Sequence, residues 1–184
     1  MSNGRKFYSN WNSDNTIFGI YIGSVDVHLA QFMKKDITVF QIIDRVVDAI
    51  INIAKKLYDT GAKNFIFMNV SPLENAPANT SGKHDYYKVN IPYFNEILNK
   101  QLEIFFNTYN NTNLIIYNLH NEYKYILNNY KKFEFISEKD GWFNNKDIDQ
   151  NKYFWRDNTH ITNKANEIIA RDINDLLMYL SKNS

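Results

Sequence analysis

The 184 residues contain no cysteine. That absence excludes a disulfide framework, a thiolate nucleophile and a cysteine-based zinc site. Charge of one sign is missing as well: 21 Lys and Arg stand against 20 Asp and Glu, a formal net charge of +1. With both signs mixed along the chain there is no basic stripe to grip phosphates, and a nucleic-acid partner is not expected. The opening stretch, MSNGRKFYSNWNSDN, holds no apolar run of the kind that makes a signal peptide. Nowhere does an apolar run approach the length of a membrane span. A soluble chain is expected; its compartment is not specified by these residues, and a secreted parent would carry its signal upstream of them. No internal repeat and no linker is visible, so residues 1–184 are expected to form a single domain.

What is present is a globular composition, with 44% hydrophobic and 16% aromatic residues. The apolar spacing alternates between two periods. TIFGIYIG (Thr16 to Gly23) is a β-branched and aromatic run ended by glycine, which predicts a buried strand. Thr38 stands three residues before Gln41, the capping-box spacing, and Ile42, Ile43, Val46, Val47, Ile50, Ile53, Ala54 and Leu57 then recur with helical period. Gly61 stops the run, which predicts a helix over 39–59. NFIFMNV (Asn64 to Val70) is the second strand, followed by a loop from Ser71 to about Asp85. Phe94, Ile97, Leu98, Leu102, Phe105 and Phe106 mark a further helix, and Asn113 to Asn118 the third strand. A short helix near 120–130, a long loop from Phe133 to Arg156 and a last helix over about 163–181 complete the order. In the last helix Ile168, Ile169, Ile173, Leu176, Leu177 and Leu180 are expected to face inward. Strands separated by single helices demand parallel crossovers, hence an α/β layered sheet whose site lies at the carboxyl ends of the strands.

The residues that carry chemistry are few. In FWRDNTHIT, Asp157 and His160 stand three apart on the loop that feeds the last helix. An imidazole accepts a hydroxyl proton when a carboxylate holds its other nitrogen in the right tautomer. The bland alternative is that Asp157 caps a turn and His160 is an exposed loop residue, and spacing alone favours it. No further carboxylate or imidazole stands at ligand spacing, so neither a metal nor another cofactor is expected. In IYIGSVDVHL, a strand ending at Gly23 can turn backbone N–H groups toward a ligand, with Asp26 orienting the turn, although a plain strand-to-loop turn accounts for both. Ser24 is a hydroxyl at a strand end without a nucleophile-elbow pattern around it. His28, His84 and His120 are read as loop or helix-start residues.

Taken together these pieces resemble the SGNH (GDSL) hydrolase superfamily of lipases and esterases, from about Trp11 to Leu180. FGIYIGSVDV is similar to the block written as an apolar strand followed by G-x-N-D. GAKNFIFMNVSPLENAP is similar to the stretch where a helix end leads into a strand and a Pro-rich turn. YFNEILNKQLEIF resembles the long helix that contains an Asn, here Asn95, and YFWRDNTHIT resembles the closing F-W-D-x-x-H-P-T block. The sub-group nearest in flavour is the esterases that deacetylate plant polysaccharides.

The resemblance implies a three-layer α/β/α, flavodoxin-like fold. It makes His160 and Asp157 the catalytic base and acid, Gly23, Val25 and Asp26 the oxyanion and substrate region, and a small ester or acetylated carbohydrate the substrate. The departures bear on activity. The family's nucleophile sits in a G-D-S block at the end of its first strand, and no such block precedes Trp11. The block whose Gly helps form the oxyanion hole is absent as well. The Asn donor of G-x-N-D is Val25, and Ile161 replaces the Pro after the histidine. Removing one oxyanion donor costs about 10²–10³ in rate, and without a nucleophile acyl transfer has no first step.

The chain therefore looks like the C-terminal two-thirds of the family domain, its sheet truncated on the N-terminal side. It is an ester hydrolase impaired as it stands or, alternatively, a catalytically silent module that binds carbohydrate or a partner. Loss of the nucleophile strand would leave Ile17 to Ile22 as an apolar edge, which predicts a homo-oligomer or a complementing N-terminal segment.

Overall fold

Three runs rich in Ile, Phe and Tyr form the strands, β1 (Ile17–Tyr21), β2 (Asn64–Met68) and β3 (Asn113–Tyr117), in a computed structural model that describes residues 11–33, 36–79 and 84–182. They pair in the order β1-β2-β3, all parallel, with Ile17 opposite Asn64 and Asn64 opposite Asn113. Parallel neighbours cannot be joined by a tight turn. Between β1 and β2 the chain runs through α1 (Ser24–Ala30) and α2 (Val39–Asp59), and between β2 and β3 through α3 (His84–Thr108). After β3 come α4 (Leu119–Asn128) and α5 (Asn163–Lys182). None of these helices is long and apolar enough to cross a membrane.

The chain divides into two compact units. One takes in the described residues up to Val70 together with Pro92–Tyr117. Its centre is β2, where Phe65, Ile66 and Phe67 are all buried, as the middle strand of a parallel sheet requires. Phe105 of α3 meets Phe65 edge-on with ring centres 5.7 Å apart, and Ile43, Val47, Ile50 and Ala54 form the buried stripe of α2. The start of α2 is fixed by the expected capping box: the Gln41 N–H donates to Thr38 Oγ1 at 3.2 Å, and the Thr38 N–H to Gln41 Oε1 at 2.9 Å. The helix covers the span read from the sequence, and Gly61, at φ +103°, follows its end.

The other unit holds Ser71–Ile91 and the chain from Asn118 onward. Two 3₁₀ turns, Leu73–Asn75 and Pro77–Asn79, occupy what the sequence marks as a featureless loop. Its core is aromatic: Phe154 lies edge-on to Tyr123 (5.2 Å), Phe135 (5.8 Å) and Trp155 (5.0 Å).

Four expectations need correction. The strand β1 is not buried throughout: only Ile20 is, while Ile17 and Tyr21 are exposed, because β1 pairs with β2 alone among the described residues. The segment after Gly23 is the short helix α1 and not a bare turn, and no side chain caps its start. The helix α3 opens at His84, where the expected loop ends, but Phe106 lies on its exposed side and not on the apolar stripe. Along α5 only Ala165 and Ile169 are buried; Ile168, Ile173, Leu176 and Leu177 are half-covered and Leu180 is exposed. The turn Gln150–Lys152 packs on α5, and the helix extends well beyond it.

Candidate active site

The segment from Tyr153 to Thr162 is a tight hairpin anchored at its base by buried residues. Thr162, fully buried, donates through Oγ1 to the Tyr153 carbonyl at 2.8 Å and through its N–H to the Phe154 carbonyl at 2.9 Å. Its hydroxyl also accepts the Ala165 N–H, so one residue closes the hairpin and starts α5. Nearer the tip, Trp155 bridges Ile161, and the Arg156 N–H donates to the His160 carbonyl at 2.7 Å. A second segment braces the outside. The Trp142 N–H donates to the Trp155 carbonyl and the Phe143 N–H to that of Arg156, both at 2.9 Å. Gly141 belongs to that brace for steric reasons: a Cβ there would lie 2.9 Å from the Asp157 carbonyl oxygen. Sequence reasoning missed Gly141; a lone glycine in a polar loop gives no sign of what it approaches.

At the tip, Asp157 folds the backbone around its own carboxylate. Oδ1 accepts the N–H groups of Thr159 (3.0 Å) and His160 (2.9 Å), an Asx-type turn. That turn carries the imidazole back over the carboxylate, with His160 Nδ1 2.9 Å from Oδ1 and 3.0 Å from Oδ2. Arg156 reaches Oδ2 at 3.3 Å. Burial acts to raise the Asp157 pKa, but the N–H groups of Thr159 and His160, the imidazole and Arg156 outweigh it and hold the carboxyl well below the usual carboxylate range. An ionised carboxylate only accepts, so the proton between the two belongs to Nδ1. Nε2 is then the bare nitrogen, on a side chain 70% exposed, whereas Asp157 is 29% exposed. The sequence could offer only proximity for this pair. The structure joins them.

The turn at the end of β1 lies in the first unit. Gly23, at φ +124° and ψ −24°, is the one residue type suited to its place, since a Cβ would meet the Phe94 ring at 2.2 Å. Its carbonyl accepts the Val27 N–H, Asp26 sits in the first turn of α1, and Val25 is 66% exposed. The Ser24 hydroxyl is buried without a hydrogen-bond partner among the described residues. In the same unit Asn95 clamps the end of β2: its Oδ1 accepts the Val70 N–H at 2.9 Å and its Nδ2 donates to the Val70 carbonyl at 3.0 Å. His28 lies in the last turn of α1 against Phe32, and His84 opens α3. His120, expected as a plain helix-start residue, instead lies beside a buried carboxylate, that of Glu74. Among the described residues no three His, Asp or Glu side chains gather as a metal site requires.

Comparison with known proteins identifies the family. Residues 6–173 match the family model described as GDSL-like Lipase/Acylhydrolase. Over 102 residues the chain is 29% identical to an acetylesterase of Thermothelomyces thermophilus, a stretch that covers 53% of this chain and 33% of that protein. The chain thus spans about a third of that relative's length. With a match that takes in the strands, the helix bearing Asn95 and the Asp157–His160 hairpin, the chain belongs to the GDSL-like lipase/acylhydrolase family.

Proposed function

We propose that this chain carries the general base and its orienting acid for hydrolysis of a carboxylic ester, His160 and Asp157 respectively. The supporting observation is the two-oxygen grip of Asp157 on His160 Nδ1, at 2.9 and 3.0 Å, which leaves Nε2 as the acceptor. In the first step Nε2 takes the proton of an attacking hydroxyl as its oxygen bonds to the ester carbonyl carbon. The imidazolium, stabilised by Asp157, then returns that proton to the departing alcohol as the C–O bond breaks. Water repeats the sequence on the acyl intermediate and releases the acid. Gly23, Val25 and Asp26 take the part of the oxyanion and substrate region, with Val25 contributing no side-chain donor.

The match across both units supports one three-layer hydrolase domain, and the relative's name, acetylesterase, points to acetyl esters as the substrate class. An acetylated carbohydrate is the narrower substrate that the family resemblance implies. No G-D-S triplet stands in the 184 residues, and the reading takes as the source of the attacking hydroxyl a complementing segment that would pair with the β1 edge. A second reading, a silent module that binds carbohydrate or a partner, is favoured by the exposed Val25 where the family places a donor.

A fluorophosphonate probe separates these. Applied to the protein from its native source, it should label a species heavier than 21.8 kDa that yields peptides of this chain, with the label outside residues 1–184. Label on a serine within these residues would overturn the assignment, and no label on any form would favour the silent module.

A further inference from the structure

The second unit contains a buried carboxylate that the chemistry above does not use. Glu74, in the first 3₁₀ turn, is 5% exposed, and its Oε1 lies 3.1 Å from Lys124 Nζ and 3.3 Å from His120 Nε2. Burial acts to raise its pKa, but the His120 side chain, its own backbone N–H and the Lys124 ammonium prevail and lower it. A carboxylate buried to this degree is costly unless it is paired, and breaking such a pair exposes the full desolvation penalty. The cluster therefore fixes Leu73–Asn75 to the first turns of α4.

From there hydrogen bonds and the short backbone segments between them lead to the hairpin. Asn79 Nδ2 donates to the Leu73 carbonyl at 2.9 Å, and the Ala76 N–H to the same carbonyl at 3.1 Å, which locks the two 3₁₀ turns into one piece. The Ala78 N–H, in the second turn, donates to the Asn158 carbonyl at 3.0 Å. That carbonyl belongs to the same planar peptide unit as the Thr159 N–H, and in a trans peptide the two point in opposite directions. One end of the plane is held by Ala78. The other end gives its proton to Asp157 Oδ1 at 3.0 Å, the oxygen that also lies 2.9 Å from His160 Nδ1.

We propose that Glu74 is a positioning residue for the Asp157–His160 pair, acting from its buried cluster with His120 and Lys124 through the Ala78–Asn158 hydrogen bond. The inference rests on the assignment of His160 as base, and the two are separable because the test is spectroscopic and needs no turnover. Glu74→Gln keeps the shape and removes the charge that holds Lys124. In the full chain labelled with ¹⁵N, this variant should exchange the Thr159 and Ala78 amide protons about tenfold faster, the loss of roughly one hydrogen bond. It should also shift the His160 ring resonances toward a mixture of tautomers.

Lys124→Met, at a side chain 40% exposed, should move the same signals in the same direction if Glu74→Gln does not fold. Glu134→Gln breaks an exposed ion pair with Lys164 in the same unit and should leave them unchanged. The inference is overturned if the Glu74 and Lys124 variants lower overall stability while the Thr159 amide and the His160 ring keep their wild-type behaviour. It is overturned equally if Glu134→Gln produces the same shifts. If Glu74→Gln moves the signals but His160→Ala costs no ester hydrolysis in a form of the protein that has it, the positioning stands and the base assignment fails.

Discussion

A methyl group on Gly23 meets two separate penalties, and the protein supplies a control for one of them. An ideal Cβ at Gly23 lies 2.2 Å from Phe94 Cζ and 2.9 Å from both Cε atoms, whereas carbon atoms rest at about 3.5–4.0 Å. Phe94 is fully buried, so its ring cannot swing into solvent, and overpacking of this kind costs about 1–3 kcal/mol. The backbone at φ +124° adds about 1–3 kcal/mol for any residue with a side chain. Gly23→Ala should therefore lose about 2–6 kcal/mol.

Gly61 has φ +103° with nothing within 4 Å of its Cβ position, so Gly61→Ala bears the backbone penalty alone. Both substitutions restrict the unfolded chain equally, which removes that contribution from their difference. Urea unfolding of the two variants side by side should place Gly23→Ala about 1–3 kcal/mol below Gly61→Ala with unchanged m-values. Equal midpoints would refute the packing described for the end of β1.

Three further outcomes are expected. Asp157 has a native pKa depressed below its unfolded value near 3.9, so its contribution is fully present above that value and is lost as pH falls toward the native one; acid titration of stability should show a steeper loss below about pH 4 in wild type than in Asp157→Asn, and parallel curves would contradict it. Asn95→Ala strands a buried N–H and a buried carbonyl at Val70 and should cost about 2–5 kcal/mol in urea unfolding; a loss under about 0.5 kcal/mol would mean the clamp is dispensable. The exposed apolar side of β1 should make the isolated chain self-associate in sedimentation, and Ile17→Lys should weaken the association; a clean monomer at high concentration counts against an incomplete sheet edge.

The sequence was most legible where a local pattern fixes local structure. Thr38, Gln41 and Gly61 punctuate α2 at both ends, and the structure places the helix on the span they mark. The β-branched runs located all three strands to within two residues. The half-covered face of α5 was hidden because periodicity reports which residues share a face and not what lies against them. For the candidate site, Asp157 and His160 were singled out through the closing block they share with the family, and the turn that joins them is local enough to form within that block. Glu74 and His120, on elements distant in sequence, were not, since their meeting is set by tertiary packing.

The most direct measurement is the ¹⁵N spectrum of the His160 ring at alkaline pH, assigned by its disappearance in His160→Gln. The geometry at Asp157 predicts a proton on Nδ1 and a bare Nε2 in wild type. In Asp157→Asn the amide N–H₂ would face Nδ1 and the proton should move to Nε2, an exchange that costs about 10⁴ in turnover in related triads. A wild-type spectrum with the proton on Nε2, or one that Asp157→Asn leaves unchanged, would contradict the assignment of this pair.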